Sequence, residues 1–234
     1  MRRLAAPPEG PNVRRAATLD AVAILQGIAD QPSGHDEETA AATSTILDAT
    51  GELLGRHGLG RWSVDDVATI AGVGRATVYR RFASREDLVN ATLSRDLRRF
   101  FATVADAVAG SGSLDAKVVE GFLVGVRVAR GTLLPELLRN DAAAALRLLG
   151  SAPVIPLGRA ALVAQYDALY GPVVGVEPRA ELELVSEALI RLALSFLLFP
   201  ESAVDFDDET AARPALQRLV RPLLEAAPAA APRR

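Results

Sequence analysis

Apolar residues recur every three or four positions along most of the chain after residue 36, the spacing that aligns side chains on one face of an α-helix. No stretch shows the strict alternation that is typical of a half-buried strand. The first periodic stretch, 37–57, is followed by Gly58, which favours a helix stop. The stripe of this stretch consists of Ala42, Ile46, Ala49 and Leu53. The pattern predicts an all-α protein.

Residues 61–88 predict two short helices separated by a tight turn. Ser63 and Asp66 have the spacing of a short capping box, so the first helix begins near Val64. Gly72 tolerates the left-handed conformation that ends such a helix. The second helix starts near Arg75, directly after Gly74. Its inner face carries Val78 and Phe82.

The outer face of the second helix is small, polar and basic. Arginine can form paired hydrogen bonds with guanine, threonine can meet a thymine methyl group, and Ala76 permits a close approach to the major groove. Residues 56–85 hold six arginines against two aspartates, a local charge of +4 in a chain whose net charge is −3. A local basic patch of this kind indicates a DNA interface. The alternative is a helical hairpin with solvated arginines inside an ordinary bundle.

The run VDDVATIAGVGRATVYRRFASREDL, residues 64–88, resembles the DNA-binding segment of TetR-type repressors. The family core T-[LV]-Y-x-[HR]-F is present in residues 77–82, with Arg85 three positions further on. The resemblance implies a three-helix helix-turn-helix domain, residues 37–83, followed by a helical ligand-binding and dimerisation bundle, residues 84–226. It also implies groove contacts from Arg75, Ala76, Thr77 and Arg80, and phosphate contacts from Ser63, Tyr79, Arg81 and Arg85.

Two positions depart from the family pattern. Gly74 stands where a serine often caps the recognition helix, which reduces the capping strength. Asp65 stands where some members carry a basic or polar contact. This aspartate argues against DNA contacts from the first helix of the motif.

Helical patterns continue through the rest of the chain. Ser84 and Ser113 are predicted caps for helices that run to Gly110 and to about Arg130. Further helices are predicted over 132–139, 141–149, 159–170 and 178–199, the third of them preceded by a break at Pro153, Pro156 and Gly158. A last helix is predicted from the apolar stripe between Leu216 and Leu224, and Pro222 is expected to kink or shorten it. Residues 227–234 are expected to form a frayed tail.

These helices would enclose a ligand cavity in the resembled family. We expect aromatic residues with one polar anchor to line it, although aromatic residues at helical spacing also form ordinary cores. The candidates are Phe101, Phe122, Arg127, Tyr166 and Tyr170.

Two strongly apolar stripes near the end of the chain indicate a helix pair that needs covering. The resemblance assigns them to a four-helix dimer interface, and the alternative is the core of a monomer. Their residues are Leu182, Val185, Leu189, Leu192, Phe196, Leu216, Leu219 and Leu223.

Composition narrows the possible chemistry. The chain has no cysteine and two histidines, which excludes thiol chemistry and disfavours a metal site, so we expect no cofactor and no catalysis. No span approaches the ~20 apolar residues that cross a bilayer, and the start of the chain is a poor secretory signal, so we expect no membrane partner and a cytoplasmic location. Residues 1–36 predict a disordered extension, in which Arg2, Arg3, Arg14 and Arg15 form either a DNA-binding arm or a solvated tail.

Together with the resemblance, which alone implies repression, the sequence predicts a homodimeric transcriptional repressor that a small-molecule effector releases from a palindromic double-stranded DNA operator. Two alternatives remain open. One is a helical ligand-binding bundle or enzyme with an incidental basic hairpin. The other is a DNA-binding regulator without an effector.

Overall fold

The computed structural model describes residues 37–151, 154–173 and 175–227. All regular secondary structure in these ranges is α-helical, as the periodicity predicts. The predicted arginine arm and residues 228–234 of the tail predicted over 227–234 lie outside the described residues. The helices are α1 (Glu37–His57), α2 (Val64–Ala71), α3 (Arg75–Arg81), α4 (Arg85–Ala109), α5 (Leu114–Arg130), α6 (Leu134–Asn140), α7 (Ala142–Ser151), α8 (Val154–Tyr170), α9 (Val176–Leu198) and α10 (Glu209–Glu225).

The predicted caps begin the helices at the expected residues. Ser63 and Asp66 form a complete capping box at α2, and the hydroxyl groups of Ser84 and Ser113 accept backbone N–H groups at α4 and α5. These caps satisfy N–H groups that have no partner within the helix. Gly58 ends α1 in the left-handed conformation with φ 66°.

The predicted break at Pro156 and Gly158 is wrong, because α8 already begins at Val154. Pro156 lies in the first turn, where a backbone N–H would have no partner in the helix, so the proline costs no hydrogen bond. Gly158 lies against Ile190 of α9, and a Cβ at this glycine would come 2.7 Å from the Ile190 Cδ1. The glycine therefore serves helix packing and not chain reversal.

Pro222 does not shorten the last helix, because α10 continues to Glu225. The helix also contains Pro214. The backbone N–H groups of Thr210 and Ala211 donate to the Asp208 carboxylate, and these bonds fix the start of α10.

The helices form two parts that share α4. The head consists of α1, α2, α3 and the first turns of α4, and the body consists of the rest of α4 with α5 to α10. The head's apolar core contains Ile46, Leu54, Val67, Val78 and Leu88, and it continues into α6 and α7. In the body, α4 packs along α5, α8 along α9, and α5 against α10.

Candidate nucleic-acid interface and ligand cavity

The turn between α2 and α3 is fixed by backbone hydrogen bonds. Gly72 adopts φ 65°, and its N–H donates to Thr69 O, while the N–H of Val73 donates to Ala68 O at 3.0 Å. This pair of bonds is the Schellman motif, and it requires the left-handed conformation that glycine adopts without strain. The start of α3 is thereby held at a defined angle to α2.

Helix α3 is anchored on its inner face by Val78, which is 1% exposed. Its outer face presents Arg75, Ala76, Tyr79 and Arg80 to solvent. Thr77, which the resemblance places in the groove, is half-buried. This arrangement leaves a short, basic, solvent-facing surface of the width that enters a major groove.

Arg75 is engaged within the protein. Its guanidinium pairs with the Asp65 carboxylate of α2 and lies 5.3 Å from the centre of the Tyr79 ring. The charge and hydrogen bond of Asp65 raise the pKa of Arg75, so the arginine stays protonated. Asp65, the position that departs from the family pattern, therefore occupies the guanidinium group that the resemblance places in the DNA groove. Arg80, by contrast, forms no hydrogen bond or ion pair within the described part of the chain.

The two other arginines of the motif point inward. The NH2 group of Arg85 donates to Leu59 O at 2.6 Å, and its guanidinium lies 3.9 Å from the centre of the Trp62 ring. Burial lowers the pKa of Arg85. Arg81 donates from Nε to the Thr43 hydroxyl at 3.1 Å.

Each of these arginines thus has a partner inside the head, and both side chains are half-buried. The phosphate contacts that the resemblance implies for Arg81 and Arg85 stay a prediction. Trp62 packs in the head as expected, with its indole N–H donating to Gly58 O at 2.8 Å. Arg85 is thus part of the head's internal support.

Ser63 is also occupied by its cap. Its hydroxyl accepts from the Asp66 N–H and donates to the Asp66 carboxylate at 2.8 Å. These bonds lower the pKa of Asp66, so a negative charge stands beside the hydroxyl. A phosphate would meet repulsion here, which argues against the predicted phosphate contact through the Ser63 side chain.

Helix α4 is fastened to the head by a second buried group. Arg95 pairs with Asp48 of α1 at 2.8 Å and donates to Ser44 O at 3.1 Å. The side chain of Arg95 is 11% exposed, whereas that of Asp48 is 59% exposed, so the arginine is buried while its partner faces solvent. The first turns of α4 therefore move together with α1.

The head also docks on α6 through a close backbone approach. The amide of Asn140 donates to Gly55 O at 2.7 Å, and the N–H of Leu59 donates to the Asp141 carboxylate at 3.2 Å. Gly55 and Gly58 allow this approach, since a Cβ at either glycine would meet the side chain of Glu136 or Asp141. The end of α1 is thus joined to the body at defined points.

A cavity of about 380 Å³ lies in the body between α4, α5, α8 and α9. Gly121 and Gly125 of α5 leave part of this space, because they carry no side chain there. Its lining is almost entirely apolar: Phe100, Phe101, Val104, Ala105, Val108, Lys117, Val118, Gly121, Phe122, Gly125, Val126, Ala129, Val154, Leu157, Gly158, Ala161, Leu162, Gln165, Ile190, Ala193, Leu194 and Leu197. The volume and character are those of a small-molecule site.

Phe101 and Phe122 line this cavity, but Arg127, Tyr166 and Tyr170 do not. Arg127 is exposed and pairs with Glu209 at 3.0 Å. Tyr166 is buried in a separate cluster and packs edge-on against Tyr170, with ring centres 5.0 Å apart. Burial raises the pKa of Tyr166, so its phenol stays neutral.

Sequence reasoning missed most of the lining. One signal was available, because Gly121, Gly125 and Ala129 follow Lys117 at intervals of four along α5. A stripe of small residues on one face of a helix leaves space beside it.

Most side chains of the predicted dimer stripe are buried inside the protomer. Leu182, Val185, Leu189 and Leu216 are at most 9% exposed, and Leu192, Phe196 and Leu223 pack against the body's core. Leu219 remains exposed at 40%. The stripe predicted that these faces are covered, but most of the cover comes from this chain's own helices.

No helix of the described residues has the length and apolar character to cross a bilayer.

The head's two short helices, tight turn and exposed basic face define a helix-turn-helix DNA-binding protein. The family described as "Bacterial regulatory proteins, tetR family" matches residues 46–92. The HTH-type transcriptional regulator AlkX of Mycobacterium tuberculosis is 32% identical over 192 residues, which cover 77% of this chain and 84% of the relative. An uncharacterized HTH-type transcriptional regulator of the same species is 28% identical over 200 residues, 82% of this chain and 90% of its own.

Solved structures agree in fold. The TetR family repressor AlkX from Dietzia sp. strain DQ12-45-1b, implicated in biodegradation of n-alkanes, superimposes with a TM-score of 0.53 at 22% identity and covers 78% of this chain and 95% of its own. A TetR-like regulator from Rhodococcus sp. RHA1 gives a TM-score of 0.53 at 18% identity, covering 79% of this chain and 96% of its own. The chain belongs to the TetR family and is a DNA-binding transcriptional regulator.

Proposed function

We propose that this regulator is a homodimeric repressor, released from a palindromic operator by a small apolar molecule that binds in the body cavity. The observation that carries the proposal is the cavity of about 380 Å³ beside α4, the helix whose first turns are fastened to the head. A ligand that prefers one arrangement of α4 changes DNA affinity by its difference in affinity for the two arrangements.

Helix α4 provides the first route from cavity to head. Phe100 and Phe101 line the cavity, and Arg95, little more than one turn earlier, pairs with Asp48 in the head. A shift of α4 that accommodates a ligand would therefore carry α1 with it. In a dimer, this shift would change the separation of the two α3 helices.

A second route runs through the opposite wall of the cavity. Val154 lines the cavity and also packs against the apolar cluster that joins the head to α6 and α7. Helix α6 in turn holds the end of α1 through Asn140 and Gly55. Helix α4 and the start of α8 thus line the cavity and are also connected to the head. This arrangement supports coupling between ligand binding and the position of the head.

The DNA side of the proposal rests on the exposed face of α3. Arg80 would read a base, Ala76 and Thr77 would allow close approach, and Arg75 would join after releasing Asp65. Tyr79 would contact a phosphate from the edge of the face. Two such helices in a symmetric dimer suit half-sites ~34 to 36 Å apart.

The apolar residues that remain exposed on the last two helices support a homodimer. Leu184 and Phe199 of the α9 region are 70% and 71% exposed, and Leu219 of α10 is 40% exposed. Pairing α9 and α10 with a second copy would cover them in a four-helix arrangement. This outer face replaces the buried stripe as the proposed interface.

The test is binding of the purified full chain to DNA upstream of its own gene, with scrambled competitor DNA, together with the solution mass. We expect a specific complex on a palindrome and the mass of a dimer. Arg80→Ala should reduce the preference for the operator by ~1 to 3 kcal/mol, because a base contact is lost. The control is Arg218→Ala, which removes an exposed arginine of α10.

The outcomes separate the alternatives. No sequence preference together with a monomeric mass would favour a helical bundle with an incidental hairpin. Specific binding that no apolar compound relieves would favour a regulator without an effector. Equal loss of preference in Arg80→Ala and Arg218→Ala would show that α3 is not the reading element.

A further inference from the structure

The cavity contains one buried cation. Of the described residues that line it, Lys117 alone is charged, and Gln165 is the one uncharged polar side chain. Lys117 is 8% exposed. A buried ammonium group is costly unless it has hydrogen-bond partners and a counter-charge.

Lys117 has a hydrogen-bond partner but no counter-charge among the described residues. Its Nζ donates to Val108 O at 2.8 Å, at the end of α4. No carboxylate of these residues forms an ion pair with it within 4.0 Å. An ammonium group has three hydrogens, so two remain for a ligand.

The polar and apolar parts of the lining lie at opposite ends. Leu114, one turn before Lys117, packs against the cluster that contains Val163 and Tyr166, the neighbours of Gln165 along α8. Gln165 and Lys117 therefore lie towards the same end of the cavity. The other end is lined by Ala129, Val154, Leu157 and Leu197, which are all apolar.

The two ends are about 18 Å apart along α5, from the rise of 1.5 Å per residue over the turns between Lys117 and Ala129. The space between them is bordered by aliphatic side chains, glycines and the rings of Phe100, Phe101 and Phe122. A long, narrow apolar space with a cation at one end fits an unbranched chain with an anionic end group.

We propose that the effector is an aliphatic carboxylic acid whose carboxylate pairs with Lys117 Nζ and whose chain extends along α5 towards Val154. This inference rests on the proposed function, in which the cavity is the effector site. A carboxylate matches the site because one ammonium balances its single charge and the Gln165 amide can donate to its second oxygen. The chain end then reaches the wall that contacts the head's cluster.

Lys117 also stabilises the end of α4, since lysine side chains commonly bond the last carbonyl groups of a helix. That role needs one donor and no ligand. Lys117→Gln retains a donor without the charge, and Lys117→Arg retains the charge. The two variants therefore separate the ligand-pairing role from the helix-capping role.

The experiment is calorimetric titration of the full chain with laurate, with dodecanol as its uncharged analogue and with dodecylamine as its cationic analogue. We expect laurate to bind the unchanged protein at least about tenfold more tightly than dodecanol, the effect of one charge-assisted contact, and dodecylamine to bind most weakly. Lys117→Gln should remove the preference for laurate while leaving dodecanol affinity within about threefold, and Lys117→Arg should restore it.

Equal affinity for laurate and dodecanol in the unchanged protein would overturn the proposal, even if Lys117→Gln failed to fold. A preference for laurate that survives in Lys117→Gln would also overturn it. Failure of all three compounds to bind would reject the cavity as the effector site, and the proposed function with it. Binding of dodecanol without preference would reject the carboxylate alone.

Discussion

The structure of the head and that of the body are stabilised in different ways. In the head, named polar contacts fix each junction: the capping box at α2, the Gly72 turn, Arg85 on Trp62 and Asp141 on Leu59. In the body, ion pairs such as Arg213–Glu120 and Arg159–Glu187 also join helices, but the apolar packing leaves a cavity of about 380 Å³ between four of them. The DNA-binding head thus has one specified geometry, whereas the body that holds the cavity has space to change.

The largest effect is expected where the two parts meet. Gly58→Ala would force an alanine into φ 66° and place its Cβ within the side chain of Asp141, 2.8 Å from the Asp141 Cγ. The free energy of unfolding should fall by about 3 kcal/mol from backbone strain and overpacking together. Urea denaturation measures this change.

The control for this variant is Gly60→Ala in the same loop, where no atom lies within 4 Å of the added Cβ. It should change the free energy of unfolding by less than about 0.5 kcal/mol. A similar decrease in the free energy of unfolding in both variants would show that the close contact between Gly58 and Asp141 does not account for the loss of stability.

The second effect concerns the head alone. Arg85→Ala removes the stacking on Trp62 and the bond to Leu59 O, so unfolding should become easier by about 2 kcal/mol. The dependence of DNA affinity on salt should stay unchanged for the folded protein, because Arg85 faces inward. A salt slope flattened by ~0.9 would instead restore the phosphate contact that the sequence predicted. Arg61→Ala, an exposed neighbour of Trp62, is the control.

The third prediction is that alanine changes stability in opposite directions at two glycines in the wall of the body cavity. In Gly125→Ala the new Cβ would lie 3.8 Å from Phe100 Cζ, an ordinary contact, so the helix should gain about 0.5 to 1 kcal/mol. In Gly158→Ala it would lie 2.7 Å from Ile190 Cδ1, and the crowding should cost about 1 to 2 kcal/mol net.

Thermal unfolding of the two variants measures the difference in sign. Gly125→Ala should also weaken binding of an apolar ligand, because the added methyl group occupies cavity space. If both variants were equally stabilised, the close packing of α8 on α9 would not hold in solution.

The smallest effect concerns the DNA surface. Asp65→Asn should release Arg75 and remove a negative charge near the phosphates, raising affinity for operator and scrambled DNA by less than about tenfold. Asp106→Asn, an exposed aspartate of α4, is the charge-matched control. Unchanged affinity in Asp65→Asn would mean that Arg75 makes no DNA contact.

The same contrast explains how much could be predicted from the sequence. The caps at Ser63 and Ser84 and the stop at Gly72 act over three or four residues, so the local pattern is sufficient to place the head's helices. The cap at Ser113 places the start of α5 in the body in the same way. The inward direction of Arg81 and Arg85 depends on where α1 and Trp62 lie, and no local pattern records that.

In the body, an apolar stripe states that a helix face is covered but not what covers it. Leu189 and Leu216 were therefore assigned to a dimer interface, although both lie in the protomer's core. Likewise, the aromatic character of Tyr166 and Tyr170 does not reveal on which side of α8 a cavity forms. Pro156 was taken as a break because its place in a first turn depends on where the helix begins.

We propose above that a ligand in the body cavity controls operator binding by the head. The most direct measurement of this control is the operator affinity of the full chain, by fluorescence anisotropy, with and without a saturating concentration of whichever dodecyl compound binds most tightly. We expect the ligand to weaken operator binding and the operator to weaken ligand binding by the same factor, since coupling is reciprocal. An operator affinity that does not change when the ligand is bound would contradict it.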